Sequence, residues 1–216
     1  MSTRAASVTP RWYSATWRSG LLAGVIVLLG ALLIGGLTSV AQQYLPDWIR
    51  SLSNSAGGWT MFSFLLVWSS RARPLLGGFL GIVAFQALNE GYGLVSLWRG
   101  YFYSDPFASN WTIIGLAAGP VLGVAAALTR HGNPLWRALG VTPLAAVLLG
   151  EGVYGLQFIA NTTSPIYWTL EIVLATLFMG IAIGRTRLRS PSLILVVCVW
   201  LAGSLAFWFL FSYVLQ

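Results

Sequence analysis

Residues 19–41 read SGLLAGVIVLLGALLIGGLTSVA, 23 positions without a charge, directly after Arg18. About 20 helical residues at 1.5 Å each cross a hydrocarbon core of ~30 Å, so this run is long enough to span a bilayer. Six further runs of the same kind follow, at 52–70, 74–98, 111–129, 139–160, 166–184 and 193–215. Composition agrees. The chain is 57% hydrophobic and 8% charged with a mean hydropathy of +0.77, whereas a soluble domain carries about a quarter charged residues. The expected fold is therefore all-α, a polytopic membrane helix bundle of seven transmembrane helices. Residues 1–18, with Arg11, Trp12, Tyr13 and Trp17, are expected to form a cytoplasmic interfacial N-terminal segment, and 19–216 a single transmembrane helix-bundle domain.

The arginines orient the bundle. Arg4, Arg11 and Arg18 precede the first run, while Arg71 and Arg73, Arg130 and Arg137, and Arg185, Arg187 and Arg189 fill alternate loops. The intervening loops hold only Arg50 and Arg99, a bias of ten to two that puts the N terminus in the cytoplasm and the C terminus outside. The +7 net charge follows from this topology, so the expected partner is the lipid bilayer and no nucleic acid. The expected location is the bacterial cytoplasmic (inner) membrane, multi-pass. Ser39-Val40-Ala41 could pass for a secretory cleavage site, but the apolar run exceeds a signal core of about 7–15 residues and is read as a retained helix. The lone Cys198 lies mid-run and is read as packing.

Some runs are irregular. The second is firmly apolar only from about Gly57 to Ser70, which predicts an unwound or re-entrant outer end around Ser53, Asn54 and Ser55. Pro120 and Pro143 fall inside runs and are expected to kink or open them. Glycine recurs at packing intervals, as in Gly77-x-x-x-Gly81 and Gly115-x-x-x-Gly119-x-x-x-Gly123. Pro74 to Glu90-Gly91-Tyr92-Gly93 also matches Pro134 to Glu151-Gly152-Val153-Tyr154-Gly155, a candidate repeat of parallel helical hairpins.

Three carboxylates interrupt the apolar runs. Counted along their helices, Glu90, Glu151 and Glu171 all fall about 7–15 Å from the outer surface. Gln86 and Asn89 adjoin Glu90, Tyr154 and Gln157 follow Glu151, and Trp59, Trp98, Trp111, Tyr167 and Trp168 belong to the same level. A carboxylate in hydrocarbon is costly and is usually kept for a pathway, a ligand or a partner charge. The expected ligand-binding residues are Glu90, Glu151, Glu171, Asn54, Asn89, Tyr154 and Trp59, suited to a small cationic molecule. The same acids could instead carry protons, or pair with Arg50 or Arg99 and hold helices together.

Catalysis fits poorly. The single histidine, His131, lies in a cytoplasmic loop, no aspartate lies within a run, and no metal-ligand spacing or nucleotide-binding loop is present. The chain also has no lysine, which rules out a retinal Schiff base. No enzymatic activity, metal or cofactor is expected.

Gln42 to Leu45-Pro46, Leu52-Ser53-Asn54-Ser55 leading to Trp59 and Phe62, Gly91-Tyr92, Trp111 with Gly119-Pro120 and Gly123, and Gly150-Glu151-Gly152 carry a resemblance. They resemble a family of small multi-spanning bacterial membrane proteins, found largely in actinobacteria and related lineages, whose function is not established. The resemblance covers most of the chain and implies a membrane fold without an activity. Gly57-Gly58 departs from it where a proline is expected before Trp59. A looser, fold-level similarity is to the substrate-capture subunits of energy-coupling-factor vitamin transporters, which bind ligand in their outer half and usually have six spans. The expected function is a membrane solute-binding or transport component using a proton gradient or a separate ATPase. The alternative is a non-catalytic accessory or assembly subunit of a larger membrane complex, docked to a membrane protein partner.

Overall fold

The computed structural model describes residues 17–213, all of it helices and short connections without a strand among the described residues. The expected anchor at Arg11, Trp12 and Tyr13 lies outside them. Helix α1 covers Trp17–Tyr44; a 3-10 turn at Arg50–Asn54 leads into α2, Ala56–Ser70. Then come α3 (Pro74–Trp98), α4 (Asn110–His131), α5 (Pro134–Leu139) and α6 (Thr142–Tyr154), which runs on as a π turn over Gly155–Ile159. Helices α7 (Pro165–Thr186) and α8 (Ser190–Tyr213) complete the chain.

Five helical stretches are long and apolar enough to cross a membrane: α1, α4, Pro134–Ile159, α7 and α8. The fold is that of a membrane protein. Helix α3 is long enough, but Gln86, Asn89 and Glu90 dilute its apolar character. Helix α2 has 15 residues, or about 22 Å, and is short of a full crossing. The 3-10 turn precedes its first residue, where the sequence reading expects unwound chain.

Helix boundaries follow from local chemistry. Ser55, Ser109, Asn133 and Ser164 each cap a helix start by accepting a backbone N–H, and Pro74, Pro134, Pro143 and Pro165 occupy first turns. Pro143 opens its run, one of the two outcomes expected of it. It lacks an N–H and its ring would meet the carbonyl of Leu139, so α5 ends there and the chain restarts as α6. Pro120 does lie inside α4.

The helices form two groups joined by α2. Helix α3 packs between α1 and α4, and α6 packs between α7 and α8, while α2 touches α1, α3, α4 and α6. At the α3–α4 crossing a Cβ on Gly81 would strike the Gly119 carbonyl, so the backbones touch directly. The core fills with Val27, Leu80, Leu144, Leu148, Met179 and Val196. On α8 only Val196, Ser204 and Ser212 are fully buried, Phe207 and Phe211 are partly buried, and Leu195, Leu201, Leu205, Phe209 and Leu210 are exposed.

Arginines gather at one end of the bundle. There Arg130 donates to the Trp68 carbonyl at 2.8 Å with its guanidinium 3.8 Å from the Trp68 ring, and Arg137 donates to the Gly132 carbonyl at 2.8 Å. At the opposite end Arg99 bonds Ser39 and Gln43 of α1, and Arg50 pairs with Asp47 at 2.6 Å.

Candidate functional site

The short helix α2 determines the site. Because it begins inside the bundle, its first N–H groups meet protein. Ser55 caps it, its hydroxyl accepting the Gly58 N–H at 2.8 Å. The Ala56 N–H donates to Glu151 Oε1 at 2.9 Å and the Gly57 N–H to Glu151 Oε2. An acid reaching across from α6 thus takes the unpaired donors of another helix's first turn, where the helix dipole favours negative charge.

Glu171 of α7 enters the same cluster. Its Oε1 lies 2.8 Å from the Tyr167 hydroxyl, one turn earlier, and 2.8 Å from the Ser55 hydroxyl. Ser55 also stands 3.0 Å from Glu151 Oε2 and 2.8 Å from Tyr167 Oη. Both acids are buried, at 2% and 1% exposure, and no arginine among the described residues bonds either one. Glu171 Oε2 is buried without any hydrogen-bond partner. The closeness depends on Gly57, where a Cβ would strike Glu171 Oε1 and lie 2.9 Å from Glu151 Oε2.

Above the cluster, at the end opposite the arginines, lies a cavity of about 630 Å³. The 3-10 turn and the loop after the π turn wall it, with Ser53, Asn54, Arg50, Asn161, Thr163 and Trp168 among its lining. Its size is that of a small-molecule site. The exposed Asn54 belongs to this cavity rather than to the acids.

Glu90 has other partners. Its Oε1 accepts the Phe107 N–H at 3.0 Å and Asn89 Nδ2 at 3.3 Å. Asn89 is buried, donates to Ser109 at 2.9 Å and accepts the Tyr103 hydroxyl at 2.6 Å. The loop between α3 and α4 thus folds back over Glu90, with Phe107 held at φ 59°. Burial pushes the Tyr103 phenol up, and the nearby Glu90 charge adds to this while bonds to Ser109 and Asn89 oppose it. Trp59 stands between the two acidic regions, its ring 5.7 Å from Tyr92 and 6.0 Å from Trp111 and its indole N–H 3.4 Å from the Ser53 carbonyl. Tyr154 packs on Phe158 and Phe211 at 5.1 and 4.9 Å. Trp98 is largely exposed.

The structure therefore unites Glu151 and Glu171, sets Glu90 with Asn89 in a second cluster, and assigns Asn54 to the cavity. Sequence reasoning did not single out Ser55 as the hub. Its signal was a serine two residues ahead of the pair Gly57-Gly58, at the point where the apolar run firms. Tyr167 sits four residues before Glu171, a spacing that brings side chains together on a helix. Among the described residues no three histidine, cysteine or acidic side chains are grouped to hold a metal.

Fold and site define a class: an all-α membrane protein with a buried carboxyl pair beneath a polar surface cavity. Residues 14–215 match the model of a family of unknown function, DUF6518, and the chain belongs to that family. No curated protein and no solved structure matches the chain.

Proposed function

We propose that the protein is a solute-binding or transport component of a bacterial cytoplasmic membrane, taking a small cationic molecule from the outer side. In this reading α2 and α3 cross with the other five spans, the arginine-rich end faces the cytoplasm and the C terminus lies outside. The observation that carries it is a polar cavity of about 630 Å³ next to two buried acids that have no arginine partner. Uncompensated carboxyl groups below a cavity favour a positively charged occupant. Asn54 and Trp168 supply a hydrogen-bonding group and a π face within the cavity, and the Glu151–Glu171 cluster supplies the field beneath. Movement of the solute would draw on a proton gradient or a separate ATPase, as the looser similarity to energy-coupling-factor capture subunits suggests.

The test is thermal stabilisation of the purified protein by a panel of small organic cations, with neutral and anionic analogues as controls. At 100 times the dissociation constant a bound cation adds about 2.7 kcal/mol. At least one cation is expected to raise the melting temperature, and Asn54→Leu and Glu151→Gln are each expected to reduce that shift. Stabilisation by anions alone, or by no member of the panel, overturns the reading.

A second reading has its own support. Gly180 and Gly184, one turn apart on an exposed part of α7, have nothing within 4 Å of a built Cβ. Such a surface suits docking in a larger membrane complex, the role of an accessory or assembly subunit. Crosslinking through cysteines placed at these positions in native membranes separates the readings: capture of a distinct membrane partner favours the second.

A further inference from the structure

The oxygen atoms around Ser55 contain more hydrogen-bond contacts than hydrogens. Ser55 lies 3.0 Å from Glu151 Oε2 and 2.8 Å from both Glu171 Oε1 and Tyr167 Oη, and Tyr167 Oη lies 2.8 Å from Glu171 Oε1. Four oxygen–oxygen contacts are served by two hydroxyl hydrogens. The two carboxyl groups also meet at Gly57, where an added Cβ would strike an oxygen of each. These oxygens attract one another only if a further hydrogen lies among them.

We propose that this cluster is a proton-binding site in which Glu171 carries one exchangeable proton on Oε1 and Glu151 is the ionised partner. The assignment to the two acids follows from their donors. Glu151 receives two backbone N–H groups at a helix start, the arrangement that best holds a carboxylate. Glu171 receives no backbone donor, and its Oε2 has no partner. An orphan ionised oxygen in a buried site is far costlier than an orphan carbonyl oxygen, and a proton on Oε1 makes Oε2 the carbonyl. The proton on Oε1 then donates within the Ser55–Tyr167 triangle, so three hydrogens serve the four contacts and one of them is shared between two acceptors.

A calcium-sized cation does not fit these distances. Around a cation with oxygen bonds of about 2.4 Å, neighbouring ligands of an octahedral shell stand about 3.4 Å apart. The contacts here are 2.8–3.0 Å, those of O–H···O bonds. The titratable groups facing Glu171 are Glu151 from α6 and Tyr167 from its own helix. Helix α2 brings Ser55 and backbone N–H groups, Arg50 beside the 3-10 turn is taken by Asp47, and Arg137 of α5 turns to the Gly132 carbonyl. The site stands independently of any solute in the cavity. Ser53 and Asn54, which line that cavity, immediately precede Ser55 and give the proton its nearest way out.

The test is infrared spectroscopy of the full chain in lipid at neutral pH, with carboxyl-labelled glutamate. The chain has three glutamates, Glu90, Glu151 and Glu171, so the labelled bands are few. A carboxylic-acid C=O band is expected, moving on transfer to heavy water. It should be lost in Glu171→Gln and kept in Glu90→Gln. Should Glu171→Gln fail to fold, Tyr167→Phe decides: it removes a hydroxyl from the triangle and leaves both acids, so the band must persist at a shifted frequency. Absence of an acid band in the folded wild type, its persistence in Glu171→Gln, or an unmoved band in Tyr167→Phe overturns the proposal.

Discussion

Glu90-Gly91-Tyr92-Gly93 on α3 and Glu151-Gly152-Val153-Tyr154-Gly155 on α6 are nearly the same motif in two surroundings. The glycines do the same work in both. Gly91 lets the backbone of α1 approach at Leu32, and Gly152 lets that of α7 approach at the Trp168 carbonyl; Gly93 lies against the Tyr103 ring and Gly155 against the Trp168 ring. The acids differ. Glu90 is half-buried and is met by a folded-back loop, whereas Glu151 is fully buried and is met by the first turn of α2. A motif on one helix thus sets how its neighbours pack, and the element arriving from elsewhere decides what the acid becomes.

The comparison breaks most readily at Gly57, which has no equivalent beside Glu90. Gly57→Ala drives a methyl group into both carboxyls and within 3.0 Å of Leu148, and is expected to cost about 3–5 kcal/mol. Gly93→Ala, which displaces only a loop tyrosine, should cost about 1–2 kcal/mol. Thermal unfolding in detergent measures both, and equal losses would mean that the two regions are equally rigid.

A finer comparison uses the two serine caps. Ser55→Ala removes a cap and the contacts of one hydroxyl with two acids, for an expected loss of about 2–3 kcal/mol. Ser109→Ala removes the cap of α4 and the acceptor for Asn89, for about 1 kcal/mol. A reversed order in denaturant or thermal unfolding would place the more tightly held cluster at Glu90.

The smallest effect concerns pH at the loop between α3 and α4. Burial holds the Tyr103 phenol above its ordinary value of 10.0. The unfolded phenol therefore ionises first, so the loop's full stability is present below about pH 10 and is lost as pH rises through the folded value. Amide protection factors across residues 99–109, corrected for the intrinsic rise of exchange with pH, should fall only in that alkaline window, and Tyr103→Phe should remove the dependence. Protection that already falls near neutrality would sever the loop's order from Tyr103.

Much of this fold can be read from the chain because a bilayer leaves few alternatives to the helix. Each of the apolar runs became helical among the described residues, with ends displaced by a few residues, and short connections separate them, all but 160–164 with an arginine in or beside them. Counting 1.5 Å per residue brought Glu151 and Glu171 to one level, where the structure joins them. The same count brought Glu90 there too, but depth along a helix says nothing about which side a residue faces. The division at Gly140 was legible in Pro143, whose ring and missing N–H end α5 four residues earlier. Ser55 was harder, since a serine before a helix signals a cap and nothing in its sequence neighbours signals two acids from α6 and α7.

Helix α2 is about 22 Å long where a hydrocarbon core is ~30 Å, and a polar cavity adjoins its first turn. A membrane voltage falls chiefly across the apolar layer, so thinning that layer concentrates the electric field there. An elementary charge crossing the whole drop gains about 2.3 kcal/mol per 100 mV. In the proposed topology the drop along α2 would be compressed into a shorter path, so a charge moving a few ångströms near Ser55 would feel a larger share of it than one moving the same distance beside α1.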